Sequence, residues 1–291
     1  MELINEKKDM QQVQRKPEWL KVSIPSGKEY AEVKQKVHSK KLHTICESGA
    51  CPNQAECWSA GTATLMILGN ICTRSCQFCN VATGKPEDVD ITEPFRVAQT
   101  VKEMGLKHVV LTSVDRDDLL DGGSGIWAAT IRAIRRHAPG VTIETLIPDF
   151  QGKEEQLNKL IEVAPEIVSH NIETVERLTR QVRIQARYER SIQVLSYLNQ
   201  NGIEKTKSGL MLGMGETNEE ILSTLQDLRN AGVEIITLGQ YLQPTKNHLP
   251  VKRFVHPDEF AELKSIALQL GFSYVESGPL VRSSYHAEKH I

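Results

Sequence analysis

The chain has 291 residues, with 35 basic and 37 acidic side chains and a formal net charge of −2. At 40% hydrophobic and 25% charged residues it can bury a substantial core, which excludes a wholly disordered or fibrous protein. The near-neutral charge makes no global case for nucleic acid, aromatics at 5% argue against a base-stacking surface, and no apolar run is long enough to span a membrane.

Residues 1–41 form a polar, lysine-rich arm carrying about +4, which leaves about −6 for the remainder. Such an arm either wraps the domain or docks an acidic protein partner, and Trp19 is the residue to anchor it. No apolar signal core is visible, so a cytoplasmic enzyme with reduced thiols is expected. From about residue 61 a strand–helix rhythm sets in. A β-rich apolar run at 62–68 reads as the first strand, followed by a helix over 94–104 and a strand over 107–112. A helix over 124–137 precedes a strand at 141–146 and a helix near 153–163. A short strand at 166–170 is followed by helical patterns over 173–180 and 186–200. Next come a strand at 205–212, a helix near 217–230, a strand at 234–240 and a closing helix over 257–270, with a late strand at 273–276. Gly105, Gly202 and Gly232 stand where helices must stop, as left-handed caps.

Six β-then-α units with apolar strands argue for a parallel sheet. The expected fold is α/β, a partial, open (βα)6 TIM-type barrel, with a flat doubly wound sheet as the rival. The expected division is an N-terminal arm and cysteine-rich segment at 1–60, the barrel at 61–270 and a C-terminal segment at 271–291. In either architecture, ligands meet the C-terminal ends of the strands.

All six cysteines fall between Cys46 and Cys79. They form two triplets. Cys72, Cys76 and Cys79 make a CxxxCxxC loop directly after the first strand. Cys46, Cys51 and Cys57 make a CxxxxCxxxxxC set before it. Three close cysteines suit three irons of a [4Fe–4S] cube, leaving the fourth iron for a non-protein ligand. A structural zinc site, which normally takes a fourth protein ligand, and buried or redox thiols are the alternatives. The histidines show no metal-ligand spacing and most read as incidental, and Asp117 and Asp118 lack companions for a calcium or magnesium site.

The CxxxCxxC spacing, with Phe78 just before the third cysteine, resembles the radical S-adenosylmethionine (SAM) superfamily. The runs CESGACPNQAEC, GNICTRSCQFCNVATGKP, LTSVDRDDLLDGG, SHNIETVERL and GPLVRSSYHA resemble the lipoyl synthase family over residues 42–287. The resemblance implies that Cys72, Cys76 and Cys79 hold a SAM-cleaving cluster. It implies that Cys46, Cys51 and Cys57 hold an auxiliary [4Fe–4S] cluster whose fourth ligand is a serine of the segment 282–285. Ser284 is the chosen ligand, with Ser283 as its alternative. By composition alone these serines would be solvated or capping residues. The implied reaction places two sulfurs at C6 and C8 of an octanoyl-lysine, through radicals because unactivated C–H bonds offer no acid–base handle.

Other residues take roles within that resemblance. Gly213, in the glycine-rich end of the fifth strand, matches the adenine-side segment, where close approach of the backbone favours glycine. Thr112 and Ser113 are assigned to the methionyl amino group, although the usual Gly-Gly-Glu form is absent. Glu144 and Asn171, expected at strand ends, are assigned to SAM's ribose or amino acid part. Arg180 and Arg183 are assigned to its carboxylate or to substrate. The implied partners are octanoylated lipoyl carrier domains of 2-oxoacid dehydrogenase acyltransferase subunits and glycine-cleavage H protein, a flavodoxin or ferredoxin-type reductant, and cluster-assembly proteins. The rivals are another dual-cluster sulfur-inserting or methylthiolating enzyme and a non-catalytic metal-binding scaffold.

Overall fold

The computed structural model describes residues 15–22, 28–59 and 63–290. In chain order the elements are α1 (Lys28–Ser39), β1 (His43–Thr44), α2 (Ile45–Ser48), α3 (Gln54–Ser59), β2 (Thr64–Ile67), β3 (Ile71–Cys72) and β4 (Ala82–Thr83). Then come α4 (Glu93–Met104), β5 (His108–Ser113), α5 (Ser124–His137), β6 (Thr142–Leu146), α6 (Glu154–Ile161) and β7 (Ile167–Ser169). The chain continues through α7 (Glu176–Val182), α8 (Tyr188–Gln200), β8 (Thr206–Leu212), α9 (Asn218–Asn230), β9 (Ile235–Gln240), α10 (Pro257–Gln269) and β10 (Tyr274–Gly278).

One sheet of eight strands runs in the order β1-β2-β5-β6-β7-β8-β9-β10. All neighbours are parallel except β1, which lies antiparallel on β2 with Thr44 opposite Leu65. The result is a mostly parallel α/β sheet of the kind found in partial TIM-type barrels. The late strand predicted at 273–276 is β10, which extends the sheet beside β9.

Local sequence explains the boundaries. Pro94 sits in the first turn of α4, where a missing N–H costs nothing, and Gly105 ends that helix at φ 65°. Thr217 and Glu220 exchange hydrogen bonds across the start of α9 in a capping box. Alternation then sorts each strand. Val109, Leu111 and Ile143 join the apolar core shared with the buried Trp127 of α5, while His108 and Glu144 turn to the opposite face. On that face Lys207 of β8 reaches Glu144 of β6 at 2.6 Å across the intervening β7. Side chains from β5, β6 and β8 therefore meet, which a concave sheet allows and a flat one opposes. A second apolar core, with Leu210, Leu212, Leu225 and Phe260, packs α9 and α10 on β8 and β9.

Candidate active site

The CxxxCxxC loop leaves β3 and returns through β4, a two-stranded ribbon that the sequence reading does not predict. The cysteine loop is pinned from several sides. The backbone N–H groups of Arg74 and Asp115 donate to Cys72 Sγ at 3.4 and 3.3 Å. Val182 O accepts from Gln77 N at 2.9 Å, and Gln77 O accepts from Leu249 N at 3.2 Å. His248 Nε2 donates to Cys79 O at 3.0 Å, so this histidine holds the loop and is not incidental. Beneath it lies a charge cluster. Arg74 grips Asp117 with two bonds of 2.6 and 2.8 Å, binds Asp149 at 2.7 Å and stands 3.3 Å from Asp115.

The second triplet starts in α2, whose first turn is capped by Thr44 Oγ1 accepting from Glu47 N. Cys46 is buried, Cys51 follows with its N–H on Cys46 O at 3.0 Å, and Cys57 lies in α3. Asn80 Nδ2 donates to Ser48 O at 3.1 Å, which ties the two cysteine segments together. The C-terminal tail closes over this set. Asn53 Nδ2 donates to Leu280 O at 2.7 Å, and Tyr285 OH donates to Glu56 Oε1 at 3.0 Å. Thr64 Oγ1 donates to Ser284 Oγ at 2.8 Å, and the same Thr64 supplies a backbone hydrogen bond to Cys46. Ser283 instead receives Asn171 Nδ2 at 2.6 Å.

Burial pushes every one of the six thiols up, Cys46 and Cys72 to about 11 and Cys57 and Cys76 to about 12. Neighbouring cysteines of the same triplet add to the shift at Cys46, Cys57, Cys72 and Cys76. They are neutral thiols at pH 7, and the thiolate form that ligates iron would need a positive group beside it, which iron itself supplies. Among the described residues, no three His, Cys, Asp or Glu side chains converge tightly enough for a single metal ion. Three thiols in each segment are a donor set that iron–sulfur ligation can use.

The structure places several of the other assigned residues at the strand ends and in the apolar layers around them. Phe78 packs against the second apolar core, and Thr112 is buried with its hydroxyl on Leu146 O at 3.1 Å. Asn171 is buried beside Ser283, and its Oδ1 has no partner. Gly213 has φ 100°, and a Cβ there would collide with Gln240 and the Arg253 carbonyl. Three assignments need correction. Glu144 lies mid-strand with its carboxylate on Lys207, which holds it below the usual range against the cost of burial. Ser113 faces the helix layer, where Trp127 Nε1 donates to it at 3.3 Å. Arg180 is exposed on α7. Arg183 is the buried member of the pair, donating to Ile172 O at 3.0 Å and lowering Cys76 by its charge.

Two further groups were given no role by the sequence reading. Asp115 lies 3.7 Å from Cys72 Sγ, and burial lifts it to about 6 although Arg74 pulls it down. Glu173, at φ 66°, accepts from Asn171 and is raised by burial. Its position after Asn171 in SHNIET was the available signal.

Comparison with known proteins bears on this geometry. Residues 66–228 match the radical SAM superfamily, and residues 2–51 match the N-terminal domain of lipoyl synthase of the radical SAM family. The lipoyl synthase of Christiangramia forsetii is 62% identical over 276 residues, covering 95% of this chain and 94% of its own length. The mitochondrial lipoyl synthase of Nematostella vectensis is also 62% identical over 276 residues, covering 95% of each chain. The chain belongs to the lipoyl synthase family. Its membership of the radical SAM superfamily implies a fold that binds a [4Fe–4S] cluster and SAM. The crystal structure of Streptococcus suis SuiB bound to precursor peptide SuiA shares the fold, with a TM-score of 0.58 at 12% identity, covering 85% of this chain and 52% of that one.

Proposed function

We propose a two-cluster sulfur insertion in which each cysteine triplet has its own task. The enzyme is a radical SAM sulfurtransferase that inserts two sulfur atoms, at C6 and C8 of a protein-bound octanoyl-lysine, to form the lipoyl cofactor. Cys72, Cys76 and Cys79 hold the SAM-cleaving cluster, while Cys46, Cys51, Cys57 and Ser284 hold the auxiliary one. When bound, these groups supply a hydrogen-abstracting radical from SAM and the sulfur to be inserted.

The observation that carries this reading is the tail. A serine hydroxyl from 220 positions along the chain meets Thr64, the residue that also touches Cys46. That proximity supports Ser284 over Ser283, whose hydroxyl is engaged by Asn171. The chain's own residues would do the rest. Thr112, Asn171 and the Gly213 turn line the side toward which the strands point, where SAM is to be bound. Arg183 is the cation to meet a carboxylate there. The concave sheet would exclude water from that site, which the partial (βα)6 barrel at 61–270 would frame between the segments 1–60 and 271–291, the latter contributing β10. The carriers are octanoylated domains of 2-oxoacid dehydrogenase acyltransferase subunits and H protein, with a flavodoxin or ferredoxin-type reductant, cluster-assembly proteins and a cytoplasmic setting.

Anaerobic reconstitution tests the assignment. The wild-type chain takes up about eight irons, four for each cluster. Cys46→Ala should lower that to about four, keep cleaving SAM to deoxyadenosine and place no sulfur on an octanoylated carrier peptide. Loss of SAM cleavage in Cys46→Ala, with Cys72→Ala still active, would overturn it.

A further inference from the structure

Residues 279–290 descend from the C-terminal ends of the strands toward their N-terminal ends. At the upper end Pro279 O accepts from Gln240 N at 3.3 Å, and Gly239 is packed so closely on Val281 that a side chain there would strike its carbonyl. Lower down, Ser284 meets Thr64 at the start of β2. The descent ends in a 3-10 turn, Ala287–His290, whose last side chain is fully buried.

His290 lies in the floor of the sheet. Lys207 Nζ stands 3.1 Å from its Nδ1 and 2.6 Å from Glu144 Oε1. An ammonium group has only donors, so Nδ1 accepts and the ring proton resides on Nε2. Lys205 Nζ donates to the His290 carbonyl at 3.3 Å, and the Tyr274 ring lies 4.4 Å from the imidazole. Glu144 Oε2 and His290 Nε2 are buried without a hydrogen-bond partner. A buried polar cluster of this kind is costly, and with the tail withdrawn it would lose one of its acceptors. The floor therefore holds the tail, and the tail carries the groups that meet the segment of Cys46 and Cys51. Leu280 O accepts from Asn53, two residues past Cys51, and Ser284 shares Thr64 with Cys46.

We propose that His290 is a positioning residue that sets the depth of the C-terminal tail and thereby holds residues 282–284 against the auxiliary cysteine triplet. The iron-count arm of its test rests on the two-cluster reading; the thiol arm does not. In the full-length iron-free chain, His290→Ala should raise iodoacetamide labelling of Cys46 and Cys51 about tenfold, the effect of losing one buried hydrogen bond to a charged group. Labelling of Cys72 and Cys76 should not change, and His290→Gln, which can still accept from Lys207, should restore protection. After reconstitution His290→Ala should keep SAM cleavage while losing about half its iron and its sulfur insertion. Unchanged labelling, or equal acceleration at both triplets, the mark of general loosening, would overturn the proposal. A wild-type chain that holds only about four irons would sink the two-cluster reading and leave the labelling result standing.

Discussion

Arg74→Met removes the cation beneath the CxxxCxxC loop while keeping most of its length. The guanidinium is 4% exposed and Asp149 is 0% exposed, so the pair is buried. Breaking such a pair from one side costs about 3–5 kcal/mol, because a charge is left without its partner. The low end applies here. Asp149 keeps Arg190 at 3.2 Å and the N–H of Gln151 at 2.9 Å, and Asp117 is 31% exposed. A loss of about 3 kcal/mol at pH 8 follows. The pH dependence has a defined sign. Hydrogen bonds from Arg74 hold Asp117 down, and at Asp149 they outweigh burial, so both carboxyls are below their ordinary range. Their pairing therefore stabilises the fold above the unfolded pKa, about 3.9, and is lost as pH falls through the folded values. Without Arg74 the same carboxyls rise, and Asp115 rises beyond its present value of about 6. The variant then gains stability on protonation, so its deficit should shrink from pH 8 toward pH 4. Urea melts of the iron-free chain at pH 8, 6 and 5 measure this. A deficit under about 1 kcal/mol at pH 8, the size of an exposed pair, or one that is constant with pH, would refute the reasoning.

Gly213→Ala should destabilise the chain by about 1–3 kcal/mol, from a positive φ and a collision with Gln240, and should raise the concentration of SAM needed for cleavage. Thermal melts and deoxyadenosine release against SAM concentration check both parts. Gly239→Ala has no positive φ to contend with, but its methyl group would strike the Val281 carbonyl and displace the tail. It should keep SAM cleavage and lose sulfur insertion at least tenfold; equal loss of both would show that the collision damages the sheet instead.

Much of the helical layer was legible because its signals are local. The helix over 124–137 matches α5, and Gly105, Gly202 and Gly232 all have positive φ. The short elements were not: β1 has two residues and β3 and β4 pair only with each other, so no periodicity announces them. At the site, the two triplets were legible from spacing alone, whereas the contacts of Asp115 with Cys72 and of His248 with Cys79 arise from folds of the chain that spacing does not encode.

By itself the sequence determined that the six thiols fall in two runs of three, since that is a matter of spacing along the chain. It determined the alternation of strands and helices for the same local reason. Tertiary structure decided which way the strand residues face. A one-residue difference in phase turns Glu144 to the floor with Lys207 and Ser113 outward to Trp127. It also brought the C-terminal tail to the strand that follows the first cysteine segment. Thr64 and Ser284 are 220 positions apart and meet at 2.8 Å because β10 adds to the sheet and directs the tail back toward β2.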